Sequence, residues 1–234
     1  MRAPERREVP VAGGRLALVL HVPPEVPAPC VVACHGLSAS KDSDKYLLLA
    51  EALPRAGLAL ARFDFRGCGE SSGREDETTV ASRIEDVAAV LEGLTGHPDL
   101  QGTVGLLGSS LGGFVALFVA LERDLPVVTW NAPASLTGLA EAPPGDRPGI
   151  GAPFRREFEG GRYTEAPKGA ARHLVIHGAA DDVVPLDHGR RLHERAAEPR
   201  DMLVIPGADH RLTDPGHRRQ AVDASLDWLA RFLG

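Results

Sequence analysis

Residues able to cleave an acyl bond recur in this chain at the ends of apolar runs. In "LLGSSLGGFVAL" (106–117), an apolar run stops at Gly108 and Ser110 stands between Gly108 and Gly112, just before a second apolar run. A serine hydroxyl is a poor nucleophile until a base takes its proton. The natural base is a histidine oriented by a carboxylate. The chain supplies both downstream, in "HGAADDVVP" (177–185) and "PGADHRL" (206–212). The order Ser, acid, His is the order in which strand-turn-helix nucleophiles find their partners on an α/β sheet.

Nine histidines compete for the role of base. His210 follows the apolar run "DMLVIPG" and comes last in the required order. His188 and His193 read as part of a surface helix, His173 starts a strand, and His97 lies upstream of Ser110. His217 is the nearest rival, but it opens the last helix and reads as a solvated or capping residue. The acid is Asp181 or Asp182; they are adjacent, and both cannot face His210. The residue types alone leave that choice open. The bland alternative for Ser110 is a Gly-Ser-rich turn in which the hydroxyl caps the following helix. Against it stands the strand-turn-helix context, in which two glycines let strand and helix approach closely. The N–H of Leu111, directly after the nucleophile, is then one donor to a developing oxyanion.

The elements that must position these groups alternate. "REVPVAGGRLALVLHVP" reads as a hairpin around Gly13-Gly14. "CVVACHG", "LALARFDF", "TVGLLG", "PVVTWNAP", "HLVIHG" and "DMLVIPG" read as strands. "YLLLAEALPRAG", "VASRIEDVAAVLEGL", "LGGFVALFVALE", "LDHGRRLHERAAE" and "RQAVDASLDWLARFL" read as helices. Continuous apolar strands separated by helices imply a mainly parallel, doubly wound sheet of about eight strands, covered on both faces. In such a sheet, ligands bind beyond the carboxyl ends of the strands, where Ser110, Asp181 and His210 all fall.

The 234 residues read as a single α/β domain with a short cap-like insert at about 134–171. A formal net charge of −6 and the lack of a basic stripe argue against a nucleic-acid partner. No apolar run approaches a membrane span, and "MRAPERREVPVAGG" lacks a signal-peptide core. Three cysteines without paired spacing imply reduced thiols and a cytoplasmic setting. Cys34 and Cys68 read as small buried residues. No cofactor and no metal is expected. His173 and His177 are four apart but on a strand, without the Glu of a zinc motif.

With these motifs the chain resembles the α/β-hydrolase superfamily, and within it the small bacterial serine esterases of the feruloyl-esterase-like and serine-aminopeptidase-like groups. "HGLSASKDS", "DFRGCGESSG", "GSSLGG", "HGAADDVVP" and "GADHRL" carry the resemblance, which runs from "VVACHG" to "DWLARFL". The resemblance assigns the acid to Asp181, four residues after His177, with Val184 and Pro185 completing the pattern. It assigns the second oxyanion N–H to Leu37. It implies loop-bracing roles for His35 and His177, and a structural turn at Asp64, Arg66 and Gly69. Serine in the elbow departs from the dienelactone hydrolases, which use cysteine there.

The expectation is a serine hydrolase acting on a small-molecule carboxylic ester through Ser110, His210 and Asp181. Thioesterase, acyltransferase and peptidase chemistry would use the same parts. A non-catalytic binding protein on the same fold is the reading from a different class. In the insert, "APPGDRPGIGAP" is too rich in Pro and Gly for a helix, and "FRREFEGGRY" can form one or two turns. Phe158 is the expected substrate contact, and a short insert implies short or compact aromatic acyl groups.

Overall fold

The computed structural model describes residues 2–141 and 149–234. Eight strands form one sheet in the order β1-β2-β4-β3-β5-β6-β7-β8. They are β1 (Glu5–Val11), β2 (Gly14–His21), β3 (Ala28–Cys34), β4 (Ala59–Phe63), β5 (Leu100–Ser109), β6 (Val127–Trp130), β7 (His173–Gly178) and β8 (Arg200–Ile205). The β1–β2 hairpin is antiparallel, and β2 runs antiparallel to β4; every pairing from β4 to β8 is parallel. The central strands β3, β4, β6 and β7 are buried along their whole length, as expected for strands covered on both faces.

The helices divide between the two faces. One face carries α1 (Asp44–Arg55) and α7 (Pro215–Leu233). Their residues Tyr46, Leu49, Leu53, Val222 and Leu229 share a core with Trp130. The other face carries α2 (Val80–Leu94), α3 (Leu111–Arg123) and, beyond the insert, α6 (Leu186–Arg195). Phe114, Val115, Val87, Val90 and Leu192 pack there against the opposite side of the sheet. Thr79 and Ser82 form a reciprocal capping box at the start of α2. Asp214 caps α7 by accepting from the N–H groups of Gly216 and His217, so His217 is a first-turn helix residue. No helix among the described residues is long and apolar enough to cross a membrane.

The insert adds α4 (Thr137–Ala140), which its sequence did not announce, and α5 (Ala152–Glu159). The helix α5 begins before Phe154, because Pro153 occupies the first turn, where its missing N–H has no intrahelical partner to lose. Most of the Pro/Gly-rich stretch expected to be a loop, 142–148, lies outside the described residues. The helix α5 is docked firmly: Phe154 is buried, and the Glu157 carboxylate accepts from the N–H groups of Val80 and Ala81 at 2.7 and 3.1 Å, at the start of α2.

Candidate active site

Ser110 sits where β5 turns into α3. Its backbone is held at φ 54° and ψ −128°, a left-handed φ that non-glycine residues adopt only under constraint. The constraint is visible: the Ser110 N–H donates to the Trp130 carbonyl at 2.9 Å, and its own carbonyl accepts from Gly113 and Phe114. The side chain makes no helix-capping bond, which removes the bland alternative. Two glycines make the turn possible. A Cβ at Gly108 would lie 2.5 Å from the Gly112 carbonyl oxygen, and one at Gly112 would lie 2.2 Å from that of Cys34.

The freed hydroxyl meets His210, whose Nε2 lies 3.1 Å from Ser110 Oγ. The other ring nitrogen, Nδ1, lies 2.8 Å from Asp181 Oδ2. A carboxylate only accepts, so Nδ1 carries the proton and Nε2 presents its lone pair to the serine. The second Asp181 oxygen accepts from the N–H groups of Val183 and Val184 at 2.9 and 2.7 Å. The Asp181 side chain is wholly buried. Asp182 is exposed and joins none of these contacts. Backbone hydrogen bonding thus decides a choice that residue type leaves open.

Further residues fix this arrangement. The Asn131 amide, at the end of β6, donates to the carbonyls of Asp209 and His210 at 3.1 and 2.8 Å, while its Oδ1 accepts from the Gly178 N–H. Asn131 was not a candidate in the sequence; its only signal there is a polar residue ending an apolar run. His35 donates from Nδ1 to the Gly36 carbonyl and accepts at Nε2 from the Phe65 N–H. His177 donates to the Val184 carbonyl, bracing the loop that carries Asp181. Asp64 accepts from Lys41, at both backbone and ammonium, and from the Glu70 N–H; Arg66 pairs with Asp86. These groups organise loops.

A cavity of about 980 Å³ opens above Ser110. Leu37 and Leu111 both line it. Leu111 is the first residue of α3, so its N–H has no intrahelical partner. Next to Leu37, the Ser38 N–H donates to Glu75 at 2.8 Å, and Glu75 is held in turn by the buried Arg83. The cavity wall also includes Leu136, Leu139 and His188. The His188 Nδ1 accepts from the Ala134 N–H at 3.0 Å, and burial holds its imidazole below the usual range. Phe158 is not part of this wall. It packs instead against the core on the α2–α3 side, and from the insert region Leu136 and Leu139 line the cavity in its place. Four charged side chains, Asp44, Lys45, Arg211 and Arg218, also line the cavity, and none was singled out in the sequence.

Comparison with known proteins agrees with this architecture. Residues 25–136 match the family described as serine aminopeptidase, S33, and residues 155–234 match the prolyl oligopeptidase family. An uncharacterized protein of Mycobacterium tuberculosis, Rv2307c, is 34% identical over 211 residues, covering 88% of this chain and 69% of that protein. The chain belongs to the α/β-hydrolase superfamily. Its family and fold make it a hydrolase of the serine type. The bovine mitochondrial palmitoyl-protein thioesterase ABHD10 is 25% identical to this hydrolase over 220 residues, with 80% of this chain and 68% of that protein covered. Among solved structures, Est1E from Butyrivibrio proteoclasticus, seen with ferulic acid bound, superimposes with a TM-score of 0.81 at 19% identity, covering 96% of this chain and 98% of that one.

Proposed function

We propose that this hydrolase cleaves carboxylic esters with short or compact acyl groups through an acyl-enzyme on Ser110. The observation that carries the reading is the pair of contacts at His210: 3.1 Å to Ser110 Oγ and 2.8 Å to Asp181, at the floor of an open cavity. Ser110 Oγ attacks the ester carbonyl carbon while His210 Nε2 takes its proton. The carbonyl oxygen gathers negative charge and accepts hydrogen bonds from the Leu37 and Leu111 N–H groups. Collapse of the tetrahedral intermediate expels the alcohol, protonated by the imidazolium. Water, deprotonated by the same nitrogen, then attacks the acyl-enzyme and frees Ser110. Asp181 keeps the proton on Nδ1 and stabilises the imidazolium.

The acyl-length preference rests on the insert. Its helix α5 is pinned to α2 by Glu157 and contributes no long apolar face over the cavity. Thioesters are the second reading, favoured by the thioesterase named among the relatives. The test is a fluorophosphonate probe followed by an ester, thioester and amide panel. One adduct on Ser110, and faster turnover of soluble short-chain esters than of thioesters, amides or emulsified triglycerides, is the expected result. Absence of the adduct on folded protein would return the binding-protein reading.

A further inference from the structure

The two walls of the cavity differ in charge. The wall built from the insert and the β7–α6 loop is largely apolar, with Leu136, Leu139, Val183 and Pro185. The wall on the α1–α7 side carries three cations against one carboxylate, that of Asp44 at the start of α1. Lys45 comes from the first turn of α1, Arg218 from α7, and Arg211 from the loop directly after His210. The elements α1 and α7 pack on the same face of the sheet, so three positive side chains from distant parts of the sequence converge beside Ser110.

Their own chain does little to neutralise them. The Lys45 ammonium donates to the Ser109 hydroxyl at 2.6 Å, a neutral partner, and no carboxylate pairs with it among the described residues. Arg211 is exposed to the cleft and has no ion pair or hydrogen bond among the described residues. Arg218 faces Asp44 at 3.6 Å, and that aspartate is largely exposed. The acids that bear on Lys45 are Asp209, held by Thr213, and Asp181, held by His210. Elsewhere in the protein, shielded cations are paired: Lys41 with Asp64, Arg66 with Asp86, Arg83 with Glu75. Burial first, then Arg218 and Arg211, lowers the Lys45 ammonium to about 8, so the three charges feel one another. Holding three like charges against a single, exposed counter-charge is costly, and a bound anion relieves the remaining repulsion.

We propose that the substrate carries an anionic group, a carboxylate or a phosphate monoester, received by Lys45, Arg211 and Arg218 while its ester carbonyl lies at Ser110. This rests on the ester-hydrolase reading and narrows its substrate class. Arg211 offers a planar fork suited to either anion, and Lys45 a point charge. The neighbouring apolar wall then receives the uncharged portion of the molecule.

The experiment compares matched pairs. Charge on the leaving group is tested with para-acetoxybenzoate against neutral para-acetoxybenzamide, and with para-acetoxyphenyl phosphate. Charge on the acyl group is tested with para-nitrophenyl hydrogen glutarate against para-nitrophenyl pentanoate. The anionic member of at least one pair should show kcat/KM about tenfold higher or more at low ionic strength, falling with added salt. The better of carboxylate and phosphate identifies the anion. In Arg211→Gln and Lys45→Met the anionic-to-neutral ratio should fall toward one. Equal kcat/KM across every pair, with Ser110 still labelled by fluorophosphonate, overturns the anion proposal and leaves the hydrolase reading standing. Failure of labelling and of all turnover defeats the hydrolase reading instead. The charge proposal is then decided by calorimetry on Ser110→Ala protein: tighter binding of para-acetoxybenzoate than of para-acetoxybenzamide upholds it, and equal binding overturns it.

Discussion

The Asn131 side chain donates to the main-chain carbonyl of His210 at 2.8 Å and, through its oxygen, accepts from Gly178 at the end of β7. One amide thereby ties three strand ends together and sets the height of the imidazole above Ser110. Asn131 is buried, with φ 50°, so both its side chain and its backbone are committed. Asn131→Asp keeps the size and the acceptor but removes the donor. It should lower kcat on the order of 10²-fold, the scale of a small misplacement of a catalytic group, with KM changing far less. Fluorophosphonate labelling of Ser110 should slow in parallel. A variant that folds and keeps wild-type kcat would show that the His210 loop needs no such tie.

The acid is decided by a second substitution pair. Asp181→Asn should lower kcat by roughly 10⁴-fold, because an amide in place of the carboxylate no longer fixes the proton on Nδ1. Asp182→Asn should leave kcat within about twofold, since exposed polar substitutions away from a site are near neutral. Ser110→Ala and His210→Ala should each fall to a similar residual rate, as members of one unit. Steady-state kinetics on para-nitrophenyl butyrate reads all four, and a reversed ranking of the two aspartates would reassign the acid.

How far the site can be read from the sequence depends on what each residue answers to. Ser110, Asp181 and His210 follow continuous apolar strands, and a parallel sheet sends every such strand end to one edge. Their meeting is therefore implied by local pattern plus topology. Which of two adjacent aspartates turns inward depends on the N–H groups of Val183 and Val184, and this no composition rule contains. The cationic wall is illegible for another reason. Lys45, Arg211 and Arg218 each read as ordinary surface charge, and only the packing of α1 beside α7 brings them to one cavity. Phe158 misleads in the opposite sense. An aromatic residue in a short amphipathic insert must bury its ring, but periodicity does not say against which surface, and here that surface is the core.

The lining of the cavity gives a paired test. Leu139 lines the cavity and Phe158 does not. Leu139→Ala should raise KM for short-chain esters about three- to tenfold with a smaller change in kcat, since trimming apolar carbons from a pocket wall removes uniform binding. Phe158→Ala should leave KM near wild type and instead lower stability by roughly 2 kcal/mol, through lost packing beside α2 and α3. Initial rates and urea unfolding on both variants separate the roles. An exchange of the two phenotypes would restore Phe158 to the cavity.

Acid stability follows from histidines held in neutral form: His173 and His35 deep in the protein, His21, lowered to about 4 by burial and then by Arg62, and His177 and His188, lowered chiefly by burial. His173 is shut inside the sheet against the Thr129 hydroxyl at 2.9 Å, and burial lowers it to about 3. His35 accepts from the Phe65 N–H, and burial lowers it to about 4. Unfolded, both return to about 6.5. Below that pH the unfolded chain takes up protons that the native protein refuses, so stability rises with pH across this range. Their contribution is complete above pH 6.5 or so and is lost as pH falls through the window down to about 4, at roughly 1.4 kcal/mol per pH unit for each histidine. Carboxylates whose protonation is suppressed by pairing, such as Asp42 with Lys41 and Arg62 or Glu165 with Arg195, begin to lose their contribution only near and below their ordinary range around pH 4. Between pH 6.5 and 5 the histidines therefore dominate. The urea midpoint should drop between pH 7 and pH 5, and His173→Gln, which cannot be protonated, should shrink that drop by up to about a third, the rest falling to the other lowered histidines. An equal drop in both proteins would mean that His173 is protonated in the native state as readily as in the unfolded one.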